Sequence, residues 1–302
     1  MEYTIPDQFA DERLDKVLTA LDNSKTRSQW QKTIEAEDVT VNKKPATKHT
    51  KVQAGDIVFV PKADEIIKNF PTPTYNLLQE EEDYVIVEKP SGIVVHPDDR
   101  HPKGNTLVDA VLADYPEIES IGEDPIRPGI VHRLDKDVSG VMVIARTQEM
   151  FSHLKNQFKT RAIHKEYTAL LYGIPSIKED DITFPIGRSK RTGKMAAKGA
   201  VDEKTKSAKT HYNIAQEFPP KYSLATITIL TGRTHQIRVH MNALSHPVVG
   251  DVLYTQKKFA VPEELNRIFL HATKLSFKDL TNERKTFISP LPESLETFLK
   301  KL

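Results

Sequence analysis

An α+β fold preceded by a small separate module is what this 302-residue chain predicts, on three observations. Short β-branched runs bounded by turn formers alternate with stretches of helical periodicity, so strands and helices share one body. One pair of such runs, Gly129-Ile130-Val131 and Val141-Met142-Val143-Ile144-Ala145, flanks a densely charged connection. Residues 11–61 carry a helix-and-strand pattern of their own, cut off by a proline-rich stretch. The length is enough for two units, each with its own core.

Composition narrows the function classes. There is no cysteine, which excludes disulfides, thiolate metal sites and a cysteine nucleophile. The formal net charge of +1 carries no global signature of a polyanion partner. That total hides a segregation: acids dominate 64–124, including Glu80-Glu81-Glu82-Asp83, and bases dominate 187–209. In the basic segment Arg188, Lys190, Arg191, Lys194, Lys198, Lys204, Lys206 and Lys209 face only Asp202 and Glu203. Such a run is either a grip for an anion or a solvated hairpin tip. The N-terminal stretch has no apolar core of the signal-peptide kind and no run approaches a membrane span, so a cytoplasmic protein without membrane contact is expected.

In residues 11–61, Leu14, Val17, Leu18 and Leu21 recur at helical spacing. A second helix is expected from about Ser28, which can cap it, with Trp30 and Ile34 inward. Val39-Thr40-Val41 then leads into the turn Asn42-Lys43-Lys44-Pro45, and Ile57 to Val60 forms a strand ended by Pro61. Arg27, Lys32 and Lys43 are available to hold a phosphate backbone; wet surface lysines are the alternative. The order RLDKVL, TRSQWQKTI, VTVNKK, AGDIV resembles the S4 RNA-binding domain, a small α/β module whose helical hairpin binds RNA. It departs from that pattern at Glu37-Asp38, where glycine is usual before the VxVN strand. Residues 62–75, with Pro71 and Pro73, read as a linker biased to extended conformations, and 76–302 as the main domain.

Within 76–302, DYVIVEKPSGIVVHP reads as strand, turn and strand, and Asn105 to Ala113 as a helix. Met150, Phe151, Leu154 and Phe158 mark another helix, His164 to Tyr172 a strand, and Tyr222 to Leu230 an alternating strand. Leu270 to Phe277 is a late strand and Leu291 to Leu302 a terminal helix.

Two constellations carry the chemistry. The first is the connection His132-Arg133-Leu134-Asp135-Lys136-Asp137-Val138-Ser139-Gly140. Asp135 lies between Arg133 and Lys136, which favours its charged form, and short connections between rigid elements commonly hold catalytic groups. A solvated surface turn is the alternative. The second is TGRTHQIRVHMNALSHPVVGD, 231–251: a turn, then a helix that Thr234 can cap, with Ile237, Met241 and Leu244 inward. Arg233 at its start and Arg238 one turn inside make an anion site, for a phosphate or for Asp135. His235, His240 and His246 invite a metal, but no HExxH pattern or carboxylate stands at ligand spacing, so no metal is expected.

GIVHRLDKDVSG, KEYTALLYG and LTGRTHQIRVHMNALSHPVVGD, preceded by VIVEKPSGIVVHP, resemble the motifs of the RluA/RluD-type pseudouridine synthases in their order and spacing. With the S4-like module the resemblance covers nearly the whole chain. It departs at Val138, where threonine is usual. The resemblance implies a mixed, mostly antiparallel central sheet flanked by helices, with the active cleft over its centre. It implies isomerisation of uridine to pseudouridine in structured RNA, without cofactor or metal. The essential aspartate falls on Asp135, the tyrosine that packs on the target uracil on Tyr167, and the basic partner of the aspartate on Arg238, with Arg233 the second claimant. Arg133 matches a residue that fills the space left by the flipped nucleotide. Flipping itself is physically required, because a stacked uridine cannot present its glycosidic bond to a carboxylate. Lys190, Arg191 and Lys194 are candidates for a backbone grip. Large-subunit ribosomal RNA is the expected substrate, transfer RNA the alternative, and a monomer the expected state. Two competing readings are a glycoside hydrolase using Asp135 and Asp137, and a non-catalytic RNA-binding assembly factor.

Overall fold

The computed structural model describes residues 1–23, 25–35, 39–47, 49–60, 73–97, 104–201, 203–256, 259 and 261–302, the side chains of Lys32 and Glu35 excepted. The chain divides into two compact units, Met1–Phe70 and Pro71–Leu302. Most of the expected linker, and the Glu37-Asp38 departure, lie outside the described residues. Among the described residues no helix is long and apolar enough to cross a membrane.

The first unit contains β1 (Glu2–Thr4), β2 (Glu12–Arg13), α1 (Leu14–Leu21), α2 (Arg27–Glu35), β3 (Thr40–Val41), β4 (Lys44–Pro45), β5 (Lys51–Val52) and β6 (Ile57–Phe59). Leu14, Val17, Leu18, Trp30 and Ile34 meet Val39, Val52 and Val58 in one core. The cap of α2 is Thr26 and not Ser28: its hydroxyl accepts from Gln29 N at 3.4 Å while Gln29 Oε1 accepts from Thr26 N at 2.7 Å. Sequence reading missed β1, which pairs with β6 and closes the sheet from the N-terminal side.

The second unit runs β7 (Asn76–Glu80), β8 (Tyr84–Lys89), α3 (Leu107–Asp114), β9 (Ser139–Ala145), α4 (Gln148–Thr160) and β10 (His164–Tyr172). It continues through β11 (Glu179–Ile182), β12 (Ile186–Arg188), β13 (Met195–Ala197), β14 (Thr205–Lys206), β15 (Thr210–Phe218) and β16 (Tyr222–Ile229). It ends with α5 (Gln236–Ala243), β17 (Leu270–Lys278), β18 (Arg284–Ile288) and α6 (Glu293–Leu299). Nine strands form the central sheet in the order β11-β15-β16-β10-β17-β9-β8-β7, with β18 also paired to β17. Only β17 and β9 run parallel, and every other pairing in that sheet is antiparallel.

Side-chain alternation splits β9 between two cores. Met142 and Ile144 join Tyr167, Ala225, Ile227, Ile237 and Met241 on the face carrying α5, with α3. Val141, Val143 and Ala145 join Met150, Leu154 and Phe277 on the face carrying α4. The parallel contact of β9 with β17 spans only Ser139–His271 and Gly140–Ala272. At Gly140, φ is +129° and a Cβ would lie 2.3 Å from Ala272 O, so glycine is what allows the strands to approach there. The loop that precedes β9 is thereby delivered to the centre of the sheet.

Two expected strands are absent. Ile130 makes only an isolated bridge to Ile144, and Val94 only one to Thr106. Both runs are apolar because they are buried loop segments, and nothing continues the ladder on either side.

Candidate active site

The loop 132–138 is held by the turn that follows β8. Lys89, buried, donates from Nζ to Pro90 O at 2.8 Å, Ile93 O at 2.8 Å and Lys136 O at 3.0 Å. Gly92 N donates to Lys136 O at 2.8 Å, and Ser91 Oγ to Asp137 O at 2.6 Å. Three carbonyl acceptors match the three protons of an ammonium. Burial pulls the Lys89 pKa down to about 7, helped by the charge of Arg267 and opposed by Asp135 and Asp137. Sequence reading quoted Lys89 inside a motif and gave it no role. Its bond to a carbonyl 47 residues downstream is visible only in the fold.

Asp135, Tyr167, Arg238, Arg133 and Arg233 line one cavity of about 100 Å³, closed by the apolar side chains of Leu134, Val138, Ile229, Ile237 and Leu270. Arg238 Nη1 donates to Asp135 Oδ2 at 3.3 Å. Its other nitrogens go to a residue the sequence did not single out: Nε to Asp251 Oδ2 at 2.7 Å and Nη2 to Asp251 Oδ1 at 2.9 Å. Asp251 Oδ1 also accepts from Leu253 N at 2.8 Å and Tyr254 N at 3.0 Å. Burial opposes the Arg238 charge, and Asp251 followed by Asp135 more than offsets it, so its pKa rises. The available signal was the acid that closes the last motif, Gly250-Asp251, 13 residues after Arg238.

Tyr167, on β10, is buried, and its hydroxyl makes no hydrogen bond to any described residue. Burial, with the charge of Asp135, pushes its pKa well up, so the hydroxyl keeps its proton. His235 brings its Nε2 to 3.9 Å from Asp135 Oδ2, and its Nδ1 lies 2.7 Å from Tyr254 Oη. Burial lowers the His235 pKa against the pull of Asp135.

The start of α5 differs from expectation. Thr234 does not cap it; His235 occupies the cap position at φ +56° without a side-chain cap bond. Gln236 Oε1 instead accepts from Arg233 N at 3.1 Å and Thr231 Oγ1 at 2.7 Å, closing the turn from inside. His240 is a packed histidine, with Nδ1 2.9 Å from Thr210 Oγ1 and Nε2 2.9 Å from Phe184 O. His246 bonds elsewhere, to Tyr172 O.

Asp137 lines a different cavity from Asp135, with Ser91, Asp251 and Arg267. The two carboxylates thus line separate hollows, which does not favour a paired-carboxylate hydrolase.

Lys190 and Arg191 lie exposed on the turn between β12 and β13, outside the cavity. Lys194 ties that hairpin to the Asp251 turn by donating to Leu253 O at 2.9 Å. In the first unit, Arg27 Nε pairs with Asp15 Oδ2 at 3.0 Å and Lys43 sits exposed in the β3–β4 turn at φ +66°. The Lys32 side chain lies outside the described residues. Burial raises and Gln31, Arg27 and Arg13 more than lower the Asp15 pKa, to about 2.

The family model described as "RNA pseudouridylate synthase" matches residues 83–243, more than half the chain, and takes in Asp135, Tyr167 and Arg238. The chain belongs to the RNA pseudouridine synthase family. It is accordingly an isomerase, and its fold is the pseudouridine synthase fold. The S4 domain model matches residues 12–58 of this synthase. The synthase is 33% identical to the "Uncharacterized RNA pseudouridine synthase YlyB" of Bacillus subtilis strain 168, over 100% of this chain and 98% of that one. It is 33% identical to the "Ribosomal large subunit pseudouridine synthase D" of Xylella fastidiosa, over 99% of this chain and 91% of that one. Among solved structures, "Human RNA Pseudouridylate Synthase Domain Containing 1" superposes with a TM-score of 0.60 at 27% identity, covering 74% of this chain and 87% of that one.

Proposed function

We propose that this synthase isomerises uridines of large-subunit ribosomal RNA in the cytoplasm, with Asp135, Tyr167 and Arg238 as its catalytic residues. The observation that carries the assignment of roles is their convergence on one small, apolar-walled cavity, with Asp135 held by Arg238 and Asp251 behind it. The reaction breaks the bond from C1′ to N1 of uracil and forms one from C1′ to C5; C5 then loses its proton and N1 takes one up, so the RNA gains and loses no atoms overall. Asp135 supplies the charged oxygen, whether as nucleophile or as stabiliser of the detached sugar. Arg238 fixes that oxygen in place. Tyr167 packs on the base, and its protonated hydroxyl is a donor for the proton movement at the ring. Arg133, which borders the cavity and the neighbouring hollow, takes the space vacated by the flipped uridine.

The choice of ribosomal RNA rests on the S4 domain and on relatives named for the large ribosomal subunit. Arg27, Lys32 and Lys43 on the S4 domain, with Arg233, Lys190, Arg191 and Lys194 on the synthase domain, are the proposed RNA contacts. The domain boundaries proposed are 11–61, 62–75 and 76–302. The test is Asp135→Asn, expected to bind RNA and form no pseudouridine; full activity in that variant overturns the mechanism. Mapping pseudouridines in cells with and without the gene tests the substrate, and losses confined to transfer RNA would overturn the ribosomal assignment.

A further inference from the structure

Beside the catalytic cavity lies a larger one, of about 450 Å³, most of whose cations have no role assigned above. Among the described residues its wall carries Arg127, Arg133, Lys159, Arg161, Lys165 and Arg233 and no carboxylate. In a chain with 43 basic and 42 acidic residues, six cations and no acid among the described residues around one hollow is a local segregation of charge, of the kind that concentrates anions.

Two of the six are already engaged: Arg127 pairs with Asp124 at 3.0 Å, and Arg133 Nη1 donates to His96 Nε2 at 3.1 Å. Lys159, Arg161 and Lys165 make no ion pair with any described residue, and Arg233 spends only its Nε, on Ser207 O at 3.0 Å. Lys165 lies over the Phe158 ring, 5.5 Å from its centroid. Burial, with the charge of Arg233, pulls its pKa down to about 8, the mark of a cation short of a counter-charge. Arg161 ends α4 in the left-handed conformation, φ +61°, at a position where glycine is favoured. The guanidinium at the rim thus sits on a backbone conformation that a non-glycine residue adopts at some cost.

We propose that this groove is a phosphate subsite, which holds the sugar-phosphate backbone adjoining the flipped uridine on Lys165, Arg161 and Arg233. The inference rests on the reading of the chain as an RNA-modifying enzyme and deepens it. A base does not fit the groove as well as a phosphate does. The Phe158 ring is stacked on His132 at 4.9 Å and 25°, and Lys165 covers it as well, so it offers no open face for stacking. The donors around the groove are charged, which suits phosphodiester oxygens. The groove is continuous with the catalytic cavity: Arg133, Tyr167, Ile229, Gly232 and Arg233 border both. A strand whose uridine enters one has its neighbouring phosphate at the other.

The experiment measures affinity for protein-free large-subunit ribosomal RNA across a range of KCl concentrations, with Asp135→Asn as the common background so that the RNA is not modified. Lys165→Met keeps the packing on Phe158 and removes the charge. Arg161→Gly removes the charge and relieves the left-handed backbone. Each is expected to bind several-fold more weakly at low salt, with the slope of log K against log salt shallower by about 0.7–0.9 for each phosphate left without its cation. The thermal midpoint of Arg161→Gly should hold or rise while its affinity falls, which a merely structural arginine would not produce. In the active background, Lys165→Met should raise KM and spare kcat. Parental slope and affinity in the folded variants overturn the subsite, and Arg161→Gly alone decides if Lys165→Met does not fold. A parent enzyme that forms no pseudouridine in ribosomal or transfer RNA would instead overturn the functional reading, and the slopes would still decide the groove.

Discussion

Arg238 gives one nitrogen to Asp135, at 3.3 Å, and its other two to Asp251, at 2.7 and 2.9 Å. The Asp251 carboxylate is itself fixed by two backbone N–H groups, from Leu253 and Tyr254. Arg238 is thus anchored from behind, and its longer, single bond to Asp135 is the adjustable one. Bidentate charge-assisted pairs are the strong members of their class, and single bonds at this length are weaker. In the mechanism proposed above, Asp135 would exchange part of its hold on the guanidinium for a contact with the sugar or base while Arg238 stays in place.

Asp251→Asn tests this anchoring. An amide returns at most one acceptor to the guanidinium and leaves a buried arginine without its principal counter-charge. Breaking one partner of a buried pair costs about 3–5 kcal/mol, so the thermal midpoint should fall clearly. Single-turnover conversion should drop by about two orders of magnitude or more, since a misplaced oxyanion forfeits geometry that intramolecular reactions depend on. RNA affinity should change little, because Asp251 faces Arg238 and not the groove. Parental turnover in a folded Asp251→Asn protein would mean that Arg238 needs no anchor.

Tyr167 should act only as a proton-bearing group. Its ordinary pKa, about 10, is pushed higher by burial and by Asp135, so from about pH 6 to about pH 10 it holds its proton in the folded enzyme. Raising pH toward 10 therefore costs Tyr167 nothing, and its ionisation brings loss only above that. Tyr167→Phe should lower kcat by about 10²–10⁴ if the hydroxyl moves a proton, with KM nearly unchanged. The parent pH profile should show no descending limb assignable to the tyrosine below about pH 10. Equal kcat in Tyr167→Phe would reduce the residue to a packing surface.

That Asp135, Tyr167 and Arg238 would meet was legible because each lies in a contiguous motif tied to one element: Asp135 before β9, Tyr167 on β10, Arg238 on α5. The roles of Asp251 and Lys89 were not, because their partners are set by how the chain folds back and not by local periodicity, even where, as for Asp251, the partner lies in the same motif. Asp251 meets an arginine 13 residues back, and Lys89 a carbonyl 47 residues ahead. The runs around Ile130 and Val94 read as strands because a buried loop and a buried strand share one composition. The opposite error hid β15: Thr210-His211-Tyr212-Asn213-Ile214-Ala215-Gln216-Glu217-Phe218 is too polar to announce a strand. Its ladder to β16 supplies the structure that its own side chains do not signal.

Acid should destabilise the fold before the carboxylates titrate. Burial lowers the pKa of His132 to about 3 and also depresses those of His240 and His271. The hydrogen bond from Val143 N to His132 Nε2, at 3.1 Å, needs that nitrogen unprotonated, which agrees. In the unfolded chain each imidazole protonates at about 6.5, so below that pH the unfolded state binds protons that the folded state refuses. Stability is therefore full above about pH 6.5 and falls as pH drops, by up to about 1.4 kcal/mol per pH unit for each such histidine. The thermal midpoint should decline measurably from about pH 7 to about pH 5, and more shallowly in His132→Gln, whose carbonyl can still accept from Val143. A flat midpoint over that range would contradict the burial of these rings.

Val138 is the position at which the charged loop departs from its family's threonine, and it is a buried wall of the catalytic cavity beside Leu134, Tyr167 and Leu270. Valine and threonine share β-branching, so the backbone before β9 should tolerate either equally well. They differ in one hydroxyl. In Val138→Thr that group enters an apolar wall, where burying it without a partner costs about 1–3 kcal/mol, while a bond to a nearby acceptor would recover most of the loss. The expected result is a thermal midpoint lower by about 2–6 °C, given the usual 2–4 °C per kcal/mol at this size and partial recovery of the cost. kcat/KM should stay within about threefold of the parent, because neither Asp135 nor its hold on Arg238 is touched. A tenfold or larger change in kcat/KM, up or down, would show that the residue at 138 contacts the reacting uridine and does more than close the cavity.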